Sequence, residues 1–322
     1  MSALSNAHLH CEDAAFAYLE AKLWPEGPVC PHCGSLNAKH YDLGKTRRGL
    51  RKCAEKQCRK QFTVKVGTVF ESAHIPLHKV LQAVYLLCAS KKGVSSHQIH
   101  RALGITYKSA WFLTHRIREA MRDGALAPMG GLDGPMGGAG IVEADETFIG
   151  REPGSPKKRA YHHKMKVLSL LDREAGQVRS VVVDDIKPET IRPIIEANIV
   201  KEANLYTDES SIYTKVGATF ADHQMTAHGA KEYVRGIVHT NTIEGYFSVF
   251  KRGMKGVYQH CGKQHLHRYL AEFDFRYNNR VKLGMNDADR ADRALRGIAG
   301  KRLTYRQPHG QHRLAQSPSS LA

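Results

Sequence analysis

The 322 residues carry 48 Lys and Arg against 31 Asp and Glu, a formal charge of +17, with 42% hydrophobic and 25% charged residues. This is the composition of a globular chain long enough for two or three domains. The excess of cations calls for a polyanionic partner, because each neutralised phosphate releases counterions, but charge does not choose among DNA, RNA and an anionic membrane surface. No run of 18 apolar residues marks a membrane-spanning helix, the first residues lack the basic and apolar regions of a signal peptide, and seven cysteines are an odd number for a disulfide framework.

In chain order, residues 1–27 read as a helical lead, with helix formers over 10–24 stopped by Pro25. Residues 28–72 read as a zinc ribbon. Cys30 and Cys33 form a C-x2-C pair and Cys53 and Cys58 a C-x4-C pair, with 19 residues between them. Two such knuckles place four thiolates around one structural Zn²⁺. That closed shell leaves no position for water, and the metal supplies folding energy that so small a domain lacks. His32 is a competing ligand, but the thiolate set is complete without it. Arg47 and Arg48, within KTRRGLRK (45–52), offer phosphate contacts.

Residues 76–123 read as a helix-turn-helix-like DNA-binding segment in three helical pieces. The first is HKVLQAVYLLCAS, with apolar residues at 80, 81, 84, 87 and 88. The second runs from a Ser95 or Ser96 cap to Gly104, and the third starts at Thr106. The first turn of such a second helix enters the major groove; Lys108 there and Arg116 further along the same helix are candidate DNA contacts. Residues 124–140 have the Gly, Ala, Pro and Met composition of a linker. Three strands follow, in IVEADETFIG, VLSLLD and VRSVVVDDI, then a helix in PETIRPIIEANIV, a strand in NLYTD and helices over about 240–256 and 263–278. They make up an α/β domain over 141–282. Residues 283–322 form a basic tail, with the last dozen expected to be disordered.

The acids of the α/β domain carry the chemistry. Phosphoryl transfer by two metal ions needs carboxylates gathered from distant positions, with the ions ~3.5–4 Å apart to activate the attacking oxygen and stabilise the leaving one. Asp145 sits mid-strand, with Glu143 on its face and Glu146 on the other. Asp208 ends a short apolar strand. Glu244 lies 36 positions later, and Lys251 is seven beyond it, two helical turns down the same face at about 10 Å. Glu244 is thus placed to hold a metal and Lys251 a phosphate of the DNA. Glu143, Glu146 and Glu209 are the neighbouring carboxylates with which these acids compete for the role.

Several segments resemble the bacterial insertion-sequence transposases of the ISXO type: 24–35 (WPEGPVCPHCGS), 62–71 (FTVKVGTVFE), 142–150 (VEADETFIG), 206–210 (YTDES), 239–260 (HTNTIEGYFSVFKRGMKGVYQH) and 266–280 (LHRYLAEFDFRYNNR). The likeness spans roughly 15–285. It implies a zinc ribbon ahead of an RNase H-like catalytic core, a mixed sheet with flanking helices. Asp145, Asp208 and Glu244 match its Asp-Asp-Glu set, which would bind two catalytic Mg²⁺ or Mn²⁺, and Lys251 matches its basic residue. Some relatives use Asn as the third ligand, which brings in Asn241 one turn before Glu244. His239, Asn241 and Arg252 would line the same groove, and Tyr258 and 276–280 would pack or bind the DNA end.

The implied activity is direct displacement. Water frees a 3′-hydroxyl at the element's terminal inverted repeat, and that hydroxyl attacks target DNA. The implied partner is double-stranded DNA, bound by a homo-oligomer in the active complex, in the cytoplasm beside the nucleoid and away from membranes. Two alternatives stay open at this point: a non-enzymatic DNA-binding regulator, and a metal-dependent nuclease of the same fold.

Overall fold

The computed structural model describes residues 3–36, 40–122, 127–131, 140–152, 154–156, 161–226 and 236–304. Its N-terminal elements are α1 (Glu12–Leu23), the short strands β1 (Tyr41–Asp42), β2 (Arg51–Lys52) and β3 (Gln61–Phe62), then α2 (Leu77–Ala89), α3 (Ser96–Leu103) and α4 (Tyr107–Ala120). There follow β4 (Ile141–Ile149), β5 (Met165–Asp172), β6 (Gln177–Val183), α5 (Pro188–Asn198), β7 (Asn204–Asp208), α6 (Thr214–Gly217) and β8 (Asp222–Thr226). The chain ends in α7 (Asn241–Gly253), α8 (Lys263–Asn278) and α9 (Asp287–Arg296).

The helix-turn-helix forms for local reasons. Ser95 and Gln98 make a reciprocal capping box at the start of α3. Gly104 ends that helix at φ +59°, a left-handed conformation that favours glycine, and the Thr106 side chain accepts the Ser109 N–H to start α4. The apolar stripe of α2 (Val80, Leu81, Val84, Leu87, Cys88) packs with Leu19, Ile99, Leu113 and Ile117 into one core. That core also takes Phe275 of α8 and Ala291, Ala294 and Leu295 of α9. Composition marks 283–322 only as a basic tail, yet 287–296 is a helix. Asn286 and Asp289 cap it reciprocally, and a narrow alanine–leucine stripe anchors it. The stripe is too sparse among Asp and Arg to stand out by periodicity.

The second body is a five-stranded sheet in the order β6-β5-β4-β7-β8. β4 runs antiparallel to β5, from Val142 opposite Asp172 to Ile149 opposite Met165, and parallel to β7, with Glu143 opposite Tyr206. β6 joins β5 antiparallel and β8 joins β7 parallel. β5 is buried along its whole length, as a central strand covered on both faces must be. Val142, Ala144, Leu168 and Leu170 face α5 and α6, while Ile149, Met165, Val167 and Leu171 face α7 and α8. This mixed sheet with helices on both faces is the RNase H-like core.

Most of 124–140 and all of the last dozen residues lie outside the described residues. Within the former segment, Met129 pairs with Ile199 in a single parallel bridge, and the Gly130 N–H donates to Asp172. Among the described residues no helix is long and apolar enough to cross a membrane.

Candidate active site and metal centre

The cysteine pairs converge. Cys30 Sγ lies 3.8 Å from Cys58 Sγ and Cys33 Sγ 3.7 Å from Cys53 Sγ, and all four sulfurs fall within 4.8 Å of one another. A tetrahedral Zn²⁺ with Zn–S bonds of ~2.3 Å spaces its sulfurs ~3.8 Å apart, so the donor set fits that ion. Each pair sits in a tight turn, closed by Gly34 N–H to Cys30 O and by Arg59 N–H to Glu55 O. His32 turns to the backbone oxygen of Gln61 and stays out of the set. His40 was not singled out by spacing, yet it ties the two turns together. Its Nδ1 accepts the Ala54 N–H, its Nε2 meets Ser35 O, and its ring packs edge-on to Phe62. Cys53→Ser is expected to lose the zinc and open 28–62 to limited proteolysis, because the core of this ribbon is little more than Cys30, Cys53 and Phe62. Zinc assay and digestion check this together.

The basic candidates divide. Arg47 and Arg48 are exposed, with Arg48 paired to Asp13. Lys108 is exposed on the first turn of α4 beside Tyr107. Arg116 is corrected: it is buried, with its guanidinium over the Phe112 ring at 4.6 Å, so it cannot face a DNA groove. His115 and Arg118 on the same helix are also buried. After its first turn α4 is largely covered, with α8 packed on the side that bears His115 and Arg118.

The parallel pairing of β4 and β7 arranges the first two acids. Its paired register ends with Glu143 opposite Tyr206, two residues before Asp145 and Asp208, and the charge of Asp208 acts on Asp145 just beyond it. Equivalent positions on neighbouring strands share a face at ~4.8 Å spacing. That face is covered by α7, which carries Asn241 and Glu244 on its exposed first turn. Burial pushes the Asp145 carboxyl up to about 8, helped by the charges of Glu146 and Asp208 and, more weakly, of Glu244. Lys251 is half-buried on the same helix. Burial lowers its pKa, Asp145 opposes that shift, and Lys255 and Lys164 add to it. Arg252 is exposed.

The three acids do not close into one tight cluster. Among the described residues only the cysteines form a set of three or more metal-ligating side chains within 4.8 Å.

Two family models match the chain: the ISXO2-like transposase domain over 138–278 and the transposase zinc-ribbon domain over 11–61. The first match falls on the α/β body and the second on the segment that holds the cysteine pairs. A protein of the transposable element ISH50 from Halobacterium salinarum, otherwise uncharacterized, is 26% identical over 269 residues, covering 79% of this chain and 86% of its own. A chain of a simian T-cell lymphotropic virus intasome bound to the PP2A regulatory subunit B56 gamma has 13% identity. It covers 55% of this chain and 67% of its own, at a TM-score of 0.30.

Within the transposase domain, the neighbouring carboxylates have other partners. Glu146 points to the opposite face and accepts the Tyr213 hydroxyl at 2.6 Å. Glu209 is exposed. Glu143 is fully buried and accepts the Ile243 N–H at 2.8 Å, one of the four unpaired donors that begin α7. Arg173 donates to Glu143, to Ile237 O at 2.6 Å and to His239 Nδ1 at 2.8 Å. His239 is therefore held in a structural network just ahead of Glu244. β4 thus fixes where α7 starts, from a residue two positions before Asp145. Period-2 alternation places Glu143 and Asp145 on one face but cannot tell which of them meets the helix end.

Tyr258 and 276–280 also serve packing. Tyr258 donates to Glu272, Arg276 pairs with Glu272, and Asn278 pairs through its amide with both backbone groups of Val178. Glu143→Gln keeps the shape but weakens the anchor. The expected result is a roughly 10–100-fold loss of any strand cleavage with little change in fold, since an ångström of misplacement has that effect. Activity set beside circular dichroism checks it.

Proposed function

We propose that this chain is a transposase that cuts and joins DNA by divalent-metal-dependent phosphoryl transfer, with Asp145, Asp208 and Glu244 as the metal ligands. The observation that carries the reading is the proximity of Asp145 to Asp208, on adjacent parallel strands paired up to Glu143 and Tyr206, and to the helix that bears Glu244. Asp145 is held near 8 by burial and by neighbouring carboxylates, a concentration of negative potential that a divalent cation relieves. The donors are hard oxygens, which suit Mg²⁺ or Mn²⁺ rather than a soft metal. Ions held there would supply Lewis acidity to the scissile phosphate.

The chain's own residues have distinct tasks. Lys251, two turns below Glu244, holds a phosphate of the DNA end against the acids. Arg252 and Asn241 extend that contact along the exposed side of α7. Glu244 is the third ligand and Asn241 a DNA contact. The exposed Lys108 and Tyr107, with Arg47 and Arg48 of the ribbon, bind the backbone of the terminal repeats. The active assembly holds two ends and therefore at least two copies of the chain.

The test is a strand-cleavage and strand-transfer assay with DNA that carries the element's ends and Mg²⁺. Wild type is expected to nick at the ends and join them to a target. Asn241→Ala should keep chemistry that Glu244→Gln loses; the reverse order would exchange their roles. Nicking without joining would reduce the reading to a nuclease, and end binding without nicking to a regulator.

A further inference from the structure

A cavity of about 380 Å³ lies between the outer ends of β4 and β5 and the end of α7. Its wall includes Lys164, Met165, Lys251, Lys255 and Gln259. We propose that this cavity receives one unpaired nucleotide of the DNA end, with its phosphate on the three lysines and its base against the apolar floor. The proposal rests on the reading of Asp145, Asp208 and Glu244 as the reacting centre, because Lys251 belongs to both sites.

Three observations converge here. The first is charge. Lys164, Lys251 and Lys255 all line the one hollow, so three ammonium groups repel one another there. Their neighbours Lys166 and Lys263 are paired with Glu152, at 3.8 and 2.6 Å. Among the described residues no salt bridge joins Lys164, Lys251 or Lys255 to a carboxylate. A phosphate resolves that repulsion, and a water-exposed lysine cluster with no ligand does not.

The second is backbone. α7 does not end simply but passes into a π-helical turn over Met254–Tyr258, an arrangement often found at functional sites. It closes on Gln259 at φ +57° and ψ −53°, with the His260 N–H donating to Tyr258 O at 2.6 Å. This is a γ-turn with a non-glycine residue in a rarely populated conformation. Burial of the Tyr258 ring against Tyr269 and Phe273, together with its bond to Glu272, holds the turn in place. The strain keeps Gln259 on the cavity wall, where its amide can reach a base edge.

The third is shape. The floor is apolar, with Ile149, Met165 and Met254, and the lysines stand around it. The volume suits a single small ligand and excludes a duplex. Enzymes that act within a duplex place an extruded base in a pocket of this kind, against apolar side chains and within reach of polar groups. Opening the last pair at the end would also free the scissile strand to approach Asp145.

The experiment uses the full-length, zinc-loaded protein. The probe is a short duplex bearing the element's end, with 2-aminopurine at each terminal position in turn. A several-fold rise in fluorescence at one position on binding is expected. Lys164→Ala combined with Lys255→Ala should abolish that rise, as should Gln259→Gly, which accepts the positive φ and removes only the amide. An unchanged signal at every position, with Mg²⁺-dependent nicking of the same duplex intact, overturns the pocket and leaves the proposed function standing. A rise that survives in both variants overturns the assignment to this cavity. A rise at one position that the variants lose, without any nicking by wild type, supports the pocket and counts against the reading of the acids.

Discussion

Asp145→Asn is expected to yield a protein that cleaves DNA at least ~10³-fold more slowly than wild type and yet melts at a higher temperature when metal-free. The loss follows if the carboxylate is a metal ligand, since an amide is a poor substitute for a charged oxygen at the centre of the set. The gain follows from electrostatics in the absence of metal. Burial raises the Asp145 carboxyl to about 8 from 3.8, and Glu146 and Asp208 add to the shift.

The folded state therefore holds a proton that the unfolded chain releases near pH 4. Stability is fully present below that point and is lost as pH rises toward 8. Asparagine carries no charge to bury, so it removes the loss while its side-chain oxygen still accepts the Glu146 N–H that Asp145 takes at 2.7 Å. A gain of about 1–2 kcal/mol at pH 8, or roughly 5 °C, is expected. Mg²⁺ should raise the melting temperature of wild type and leave that of the variant unchanged. Calorimetry at pH 6 and pH 8 with and without Mg²⁺ reads all of these, and a variant that melts lower than wild type at pH 8 would contradict them.

The second large effect is structural. Glu272 is fully buried and accepts from Arg118 Nε at 2.6 Å, from Arg276 and from Tyr258. Arg118 is itself buried, its guanidinium 4.1 Å from the Tyr269 ring centre and 5.0 Å from that of Tyr258. Burial alone would raise the Glu272 carboxyl, but Arg276 and Arg118 bring it below its ordinary range. Glu272→Ala leaves two guanidinium groups buried without their carboxylate, which costs about 3–5 kcal/mol. The expected fall in melting temperature is about 10 °C. Because the pKa is depressed, acid removes the contribution of Glu272 only below about pH 4.5, the ordinary value for this side chain. The same ion pair joins α4 of the helix-turn-helix to α8 of the catalytic core. Loosening it should therefore also weaken DNA binding at a distance, as measured by gel shift.

The features legible in sequence are those written in adjacent residues. The two cysteine pairs, the Ser95 cap, Gly104, Thr106 and the apolar stripe of α2 each signal their structure within a few positions. Four strands of the sheet, β4 to β7, were also readable as short runs of β-formers, whereas β8 (Asp222–Thr226) was not. Illegible features depend on partners far along the chain. Arg118 and Glu272 are 154 positions apart, and Arg116 looked like a groove contact because nothing in α4 itself reveals that its side chain is buried. Asp274 and Asn278 clamp α8 to β6 through Ser180 and Val178, which no local pattern announces. For the candidate site, sequence supplied the residue types and their order. The proximity of Asp145 to Asp208 needs the pairing of two parallel strands, and the part played by Glu143 needs the position of a helix end.

The most direct measurement of the central claim is a Mn²⁺ titration of the zinc-loaded protein followed by electron paramagnetic resonance, for wild type and for Asp145→Asn, Asp208→Asn and Glu244→Gln. The account predicts saturable Mn²⁺ binding in wild type that each substitution weakens by at least ~10-fold, each by removing a ligand of the shared site. Unchanged Mn²⁺ affinity in all three variants would contradict it.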